Sequence, residues 1–534
     1  MLEENIIWLK EFKNKYGRAP RILHIGNIAN NAYNNVKLLN EVGFDCDVIC
    51  YDYYHIAGCP EWEDANFDAR KIKDQFFPNW LLIDTGSFKR PRWFAQGKLK
   101  YCILYLISKR KGKKFQSSFW WMLLRIANFF TCHLKSSKQF GKLAIDVFSK
   151  ISSFQQRIKN IFSKIISISM RLIAELHLSK NIYKSESQEE KTRKYSFEER
   201  CQQLVDIFNT EFPERHDKLK YEELVQYSTV INSWINLFTH YDLVHAYATD
   251  GIFPLLANKP YVAYEHGTIR DLPFNNSTTG RLCALTYKLA NQVLITNADN
   301  IVAAKKLNLS AYNFVPHPIN ESSLAVTLNS GESNFYKEIH KTLKSDFIVF
   351  HPPRQHWETQ RNPSMDKGND IFIKGFAKFV QTVNPSAKAI FVEWGITLNE
   401  SKNLIKELGI ESSIVWIKPQ NHQNMMKFIE GSDIVADKFC FGGFGGIPPK
   451  ALMSHKITLI YIDLSIHEWC FEEMPPFINA ETPQNVFESL QKVYTDKSYR
   501  SEVESQGKSW YLKYHSSSVI INTIQNTYKN ILLP

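Results

Sequence analysis

The feature that most limits the fold is a repeated alternation, in which short apolar runs end in a polar or glycine-containing turn and are followed by a helical pattern. In the first half these runs are RILHIG (21–26), DCDVICYD (45–52), DLVHAY (242–247), YVAYE (261–265) and QVLITNAD (292–299). A second series reads FIVF (347–350), AIFVEWG (389–395), SIVWIKP (413–419), DIVADKF (433–439) and ITLIYID (457–463). Runs this short between helical patterns are strands, and strand-helix-strand repetition makes a parallel sheet covered on both faces. The expected class is α/β, with two Rossmann-like doubly wound domains and a break near 320–345. We expect a first domain over 1–330, a second over 340–515, and a last helix in 516–534.

Ligands of open α/β sheets gather at the carboxyl ends of the strands, so residues just past each run are the candidates. In the first half these are Gly26 and Asn27, with Asn30 and Asn31 nearby, then His266 after YVAYE and Asn297 after QVLIT. The asparagines also suit helix capping. His266 suits a polar contact to a sugar, or a satisfied structural histidine. In the second half Arg354 follows FIVFHPP, Lys367 precedes a helical pattern, and Glu393 and Trp394 end AIFVEWG. As a pair, Arg354 and Lys367 supply fixed cations suited to a diphosphate.

The stretch DKFCFGGFGGIPPKALM (437–453) adds a different kind of donor. Its glycines, followed by a helical KALM, read as a turn opening a helix with free backbone N–H groups, a corner able to hold phosphate. Phe444, Gly445, Gly446 and Lys450 belong to this corner. A tight strand-to-helix turn with no ligand is the alternative.

Charge is unevenly placed. Residues 88–180 hold 20 Lys and Arg against the two acids Asp146 and Glu175, although the whole chain of 534 residues carries only +11. The excess points to a local anionic partner. We expect 88–195 to be a basic helical insert. Within it Val147, Ile151, Phe154, Ile158, Ile161, Ile165, Ile168, Leu172 and Leu176 form one helical stripe, flanked every seven residues by Lys150, Arg157, Lys164 and Arg171. An in-plane membrane helix fits this pattern, as does a helical hairpin or coiled coil. The charge asymmetry and the nearby Phe119, Trp120 and Trp121 favour an anionic membrane surface contacted through 88–180. No nucleic-acid motif accompanies the charge. The nine scattered cysteines and the acidic, amphipathic start MLEENIIWLKEFKNKYG suit a cytoplasmic location, peripheral at the inner membrane face.

The order HIGN, YEHG, TNAD, PPR with KGND, then DKF, GGFGG and KALM resembles GT-B glycosyltransferases, and is similar to glycosyltransferase family 4, over most of the chain outside the basic stretch. The resemblance implies a retaining, metal-independent, hexosyltransferase-type enzyme with no cofactor. The donor would be a UDP- or GDP-linked sugar, and the acceptor a glycan or lipid-linked molecule in cell-surface polysaccharide or glycolipid synthesis. It implies that Arg354 and Lys367 hold the donor diphosphate. The chain departs from the family's paired glutamates: aligned on Phe444–Gly445, Gly442 and Lys450 stand in their places. A lysine only donates hydrogen bonds, so it cannot accept from ribose hydroxyls as the implied glutamate does. A non-catalytic nucleotide-sugar or carbohydrate binder, or a nucleotide-sugar epimerase, is therefore the alternative.

Overall fold

The computed structural model describes residues 2–51, 53–72, 74–136, 188–321, 334–357 and 366–533. The expected amphipathic stripe over 147–176 lies outside them. Two sheets organise the chain, and every strand pairing in both is parallel.

The first sheet has seven strands: β1 (Arg21–Ile25), β2 (Asp45–Tyr51), β3 (Phe94–Gly97), β4 (Leu243–Tyr247), β5 (Tyr261–Glu265), β6 (Gln292–Ile295) and β7 (Tyr312–Phe314). Their order is β3-β2-β1-β4-β5-β6-β7. The second sheet contains β8 (Ile348–His351), β9 (Lys388–Val392), β10 (Ile414–Ile417), β11 (Ile434–Ala436), β12 (Ile457–Ile460) and β13 (Ile478–Asn479), in the order β10-β9-β8-β11-β12-β13. Both are doubly wound, as the alternation predicts. β4 and β5 are buried along their whole length, since helices cover both faces of a parallel sheet. The strand order reverses at β1/β4 in one sheet and at β8/β11 in the other, which opens a crevice at each reversal.

The first part of the expected insert is built into the fold. Phe94–Gly97 pairs with β2 as an edge strand, and the helix Leu99–Arg110 buries Cys102, Tyr105 and Leu106. Some of the excess charge is consumed internally: Arg110 is paired with Asp45 and Asp47, Lys109 with Asp47, and Arg90 with Glu61. The apolar run 117–132 belongs to the helix Lys114–Ser136, which packs Trp121 and Leu124 into the core. Among the described residues no helix is long and apolar enough to cross a membrane.

The last helix, Ser517–Leu532, packs Ile520, Ile524 and Tyr528 into a cluster with Trp8, Phe12, Val36 and Phe44 of the first domain. The Tyr528 hydroxyl meets Nδ1 of His245 at 2.5 Å and Nε2 of His24 at 3.3 Å. The two domains also touch across the cleft. The Trp469 indole donates to the Ala298 carbonyl at 3.0 Å, the Asn421 amide to the Phe67 carbonyl at 3.1 Å, and His422 Nδ1 lies 3.2 Å from Glu63.

Candidate functional site

The carboxyl end of β8 turns through two prolines into Arg354, which is half-buried and has no hydrogen bond or ion pair among the described residues. Burial lowers its pKa, as expected for a guanidinium with no counter-ion. Lys367 is fixed by its backbone. Its N–H donates to the His356 carbonyl at 2.7 Å, and its carbonyl accepts from Phe439 N–H at 2.9 Å. Gly368, next in the chain, has φ +62, and a Cβ there would sit 3.0 Å from the Phe439 side chain. Only glycine lets the loops after β8 and β11 approach this closely.

His351 ties these loops together from below. Its Nδ1 faces the Ala436 carbonyl at 2.9 Å, and since a carbonyl only accepts, Nδ1 carries the proton. Nε2 therefore accepts from the Asn369 amide at 2.8 Å, whose oxygen accepts from His356 N–H at 2.9 Å. Burial holds this ring neutral, with its pKa pushed down to about 3.

The resulting site is short of negative charge. Burial lowers the Lys367 pKa to about 8, with Lys438 and Arg354 adding like-charge repulsion that buried Asp437 offsets in part. Lys438 is itself lowered by burial. Its neighbours include Asp299 and Arg270 of the first domain, which form an ion pair at 2.5 Å. Lys438 was not legible as a site residue, because a lysine after a strand is ordinarily solvated. Its nearness to Lys367 depends on the β8 and β11 loops meeting.

The glycine corner is open. Phe441 and Gly442 have φ +69 and +67, and an added Cβ at Gly442 would meet Asp463 at 2.5 Å. By contrast, a Cβ at Gly445 or Gly446 would meet nothing within 4 Å. The helix that follows, Ile447–Met453, is only seven residues long and has proline at 448 and 449, so two of its first N–H groups do not exist. The donors on offer are instead those of residues 444–447, which make no hydrogen bond among the described residues. The Phe444 ring is not part of the site: it lies in the core, stacked on His467 at 5.2 Å and edge-on to Phe477 at 5.2 Å.

Lys450 projects from this helix into the cleft. Burial lowers its pKa, and Glu63 of the first domain is the charge that opposes the shift. Glu63 is itself pushed up by burial, but His422, Lys450 and Asn34 pull it net below the usual carboxylate range. The glutamate missing from the helix thus has an acid facing Lys450 from the other domain. Nothing local in the sequence marks that pair, since packing between domains creates it.

On the first domain, Gly26 has φ +91 and lies so close to Asp250 that a Cβ would meet its carboxylate at 2.3 Å. Asn27, expected at the donor, is instead an internal anchor. It is 2% exposed, its amide donates to Asn30 and to the Gly58 carbonyl at 2.9 Å each, and its oxygen accepts from Tyr33 N–H at 3.0 Å. A structural role wins because the turn is buried under the loop 53–59 and every polar atom of the Asn27 amide is engaged there. Asn297 likewise acts as a brace, donating to the His266 carbonyl at 2.7 Å and facing His317 Nε2 at 3.2 Å. His266 stands edge-on to His317 at 5.0 Å, and burial, then Arg270, lowers its pKa to about 4, so the ring is neutral near pH 7. Glu393 has both oxygens occupied, by Lys402 at 2.6 Å and by Lys418. It therefore braces the rim and does not face a ligand.

Beside that rim lies a largely apolar cavity of about 370 Å³, lined from the second domain by Pro352, Trp394, Pro419 and Met425 and from the first by Ile56 and Trp62. Of these, only Trp394 was read as a rim residue from sequence.

No protein-family model matches this chain, and no curated protein matches it. Among solved structures, HepE of Anabaena in complex with UDP and glucose is similar over 57% of this chain and 83% of its own, at 16% identity and a TM-score of 0.47. A glycosyltransferase from Rickettsia africae is similar over 57% and 80%, at 12% identity and 0.44. TarM of S. aureus is similar over 55% of each chain, at 12% identity and 0.39. The sheet orders of this chain, with the carboxyl ends of two Rossmann-like domains meeting at one cleft, are those of a GT-B fold. What the site does rests on its own side chains.

Proposed function

We propose that this chain is a glycosyltransferase that takes a sugar from a UDP- or GDP-linked donor held by the second domain and passes it to a glycan or lipid-linked acceptor held by the first. One observation carries the reading: Arg354, Lys367 and Lys438, three cations whose side chains make no hydrogen bond or ion pair among the described residues, lie close enough to repel one another, and Lys438 sits 5.9 Å from the Phe441 ring at the start of the glycine corner, where the N–H groups of residues 444–447 are open. Such a site is complementary to a diphosphate, and most so when the diphosphate leaves.

In that step the bond between the sugar's anomeric carbon and the diphosphate oxygen breaks, and its electron pair stays on the diphosphate. The three cations stabilise that charge without a divalent ion. The acceptor hydroxyl oxygen forms the new bond while its O–H bond breaks and the proton passes to the departing diphosphate oxygen, and neutral His266 lies on the first-domain wall as a hydrogen-bonding partner for the sugar. Retention of anomeric configuration follows from the resemblance to family 4. The apolar cavity beside Trp394 offers a place for the base, and Glu63 is the acid nearest Lys450. HepE, described with UDP and glucose, is in keeping with this donor class. A role in cell-surface polysaccharide or glycolipid synthesis, on an anionic membrane surface at the cytoplasmic face, fits the basic stretch.

The test is a panel of nucleotide-sugars with and without acceptors, following nucleoside diphosphate release and sugar transfer together. Transfer with matching release supports the proposal. Binding without turnover under every donor would leave a non-catalytic binder, and sugar interconversion without acceptor would indicate an epimerase.

A further inference from the structure

A second cavity, of about 330 Å³, lies in the first domain between the loop 78–92 and the helix Lys114–Ser136. Its walls are aromatic, with Trp80, Phe88 and Trp121 among them. Glu61 is the carboxylate that lines it, and both its oxygens are taken by Arg90, at 2.9 and 2.7 Å. Three other cations line the cavity: Lys89, Arg92 and Arg125. All three are exposed, and none is paired with an acid among the described residues; the Arg92 carbonyl accepts from the Tyr105 hydroxyl at 2.6 Å, and its guanidinium stacks over the Trp121 ring at 5.5 Å. The Asn79 amide nitrogen, also at the wall, is buried without an acceptor. Every unsatisfied polar group named here is a donor or a cation.

The mouth has a second character. Leu81 and Leu82 beside Trp80, and Phe130 beside the cavity wall, are 49%, 67% and 52% exposed. Leu81 lines the cavity itself, so an exposed large apolar side chain stands at a hollow where Lys89, Arg92 and Arg125 have no acidic partner among the described residues. It suits a molecule with an anionic group for the hollow and an apolar chain for the mouth. The cavity also lies close to the cleft: Tyr54 and Cys59 line it, and a Cβ on Gly58 between them would touch the Asn27 carbonyl at 3.0 Å, so one loop separates it from the β1 turn.

We propose that this cavity binds the phosphate or diphosphate of an acceptor carried on an apolar chain. As a binding site it stands on its own geometry; as the acceptor's site it rests on the transferase reading above. A hollow one loop from the cleft favours the acceptor's phosphate over the headgroup of a bulk bilayer lipid.

The test uses the full chain and dodecyl phosphate as the probe, with dodecyl maltoside and inorganic phosphate as single-feature controls. Saturable binding of dodecyl phosphate is expected, with both controls about tenfold weaker or more, and with a loss of about tenfold or more in Arg92→Gln/Arg125→Gln. Arg92→Lys/Arg125→Lys should keep much of the affinity. Unchanged binding in the glutamine variant, or equal binding of the neutral amphiphile, overturns the site. Displacement of the probe by phosphatidylglycerol vesicles as readily as by a lipid-linked sugar phosphate overturns the acceptor assignment. UDP is titrated into the same proteins and should bind all of them alike. If UDP binds none while the dodecyl phosphate results hold, the transferase reading fails and the cavity stands.

Discussion

Lys367 sits in a place that suits a ligand better than it suits the folded protein. Its pKa is about 8, below the roughly 10.4 of a free lysine, so between those values the unfolded chain holds more protons than the folded one. This group therefore lowers stability most below pH 8, and its contribution improves as pH rises towards 10. A bound diphosphate reverses the balance by favouring the ammonium. Donor affinity should accordingly fall as pH rises through about 8, and Lys367→Met should flatten that limb while leaving the thermal midpoint unchanged or raised. Titration of UDP across pH 7 to 9.5, with thermal melts beside it, checks both. The glycine corner can be separated from a mere turn in a similar way. Gly446 has φ −77 and room for a Cβ, so Gly446→Ala should melt like the parent yet bind donor less tightly, because the methyl enters the phosphate space. Gly442→Ala should instead lose about 1 kcal/mol or more of stability, from its left-handed φ and its contact with Asp463. Equal donor affinity in Gly446→Ala would mean that the loop is only a turn.

Among the elements, the strands with apolar side chains on both faces were legible, and those completed by pairing were not. RILHI, YVAYE and FIVF announce themselves because both faces of a parallel sheet are buried. β3 reads FAQG, β7 YNF and β13 IN, too short or too polar to be told from loop, and each sits where a neighbouring strand offers an edge. The candidate site residues followed the same rule in where the fold places them. Arg354 and Lys367 could be placed because they lie just past recognisable strands. Lys438, His317 and Glu63 acquire their surroundings from loops that meet only in three dimensions. Asn27 was misplaced because a strand-end asparagine serves a ligand or a cap equally well until burial decides. The last helix gives a test at this scale. Tyr528→Phe removes the hydroxyl shared by His24 and His245 and should cost about 1 kcal/mol. Burial holds both histidines neutral, with His245 down to about 3. Since the unfolded chain takes up protons below about 6.5, stability should fall as pH drops from there, and a melt series from pH 7 to 4 shows whether it does.

Two sheets close on each other through polar contacts and through Tyr312 and Phe314 packed on Trp469 and Phe471, with a helix returning from the second domain to the first. Glu321 joins that return, accepting from the Tyr511 hydroxyl at 2.7 Å and from Ser517 N–H at 3.2 Å. Because His422 meets Glu63, whose charge also acts on Lys450, and Trp469 meets Ala298, closure and the proposed donor site are one construction. A donor bound at Arg354, Lys367 and Lys438 lies against first-domain residues as soon as it is bound. The most direct test of this account is calorimetric titration of UDP and GDP into the intact chain and into Arg354→Gln/Lys367→Met, with a chelator present. One saturable site is expected for one of the two nucleotides, weakened about a hundredfold or more in the double variant without loss of fold. Failure of both nucleotides to bind, or equal affinity in the variant, would contradict it.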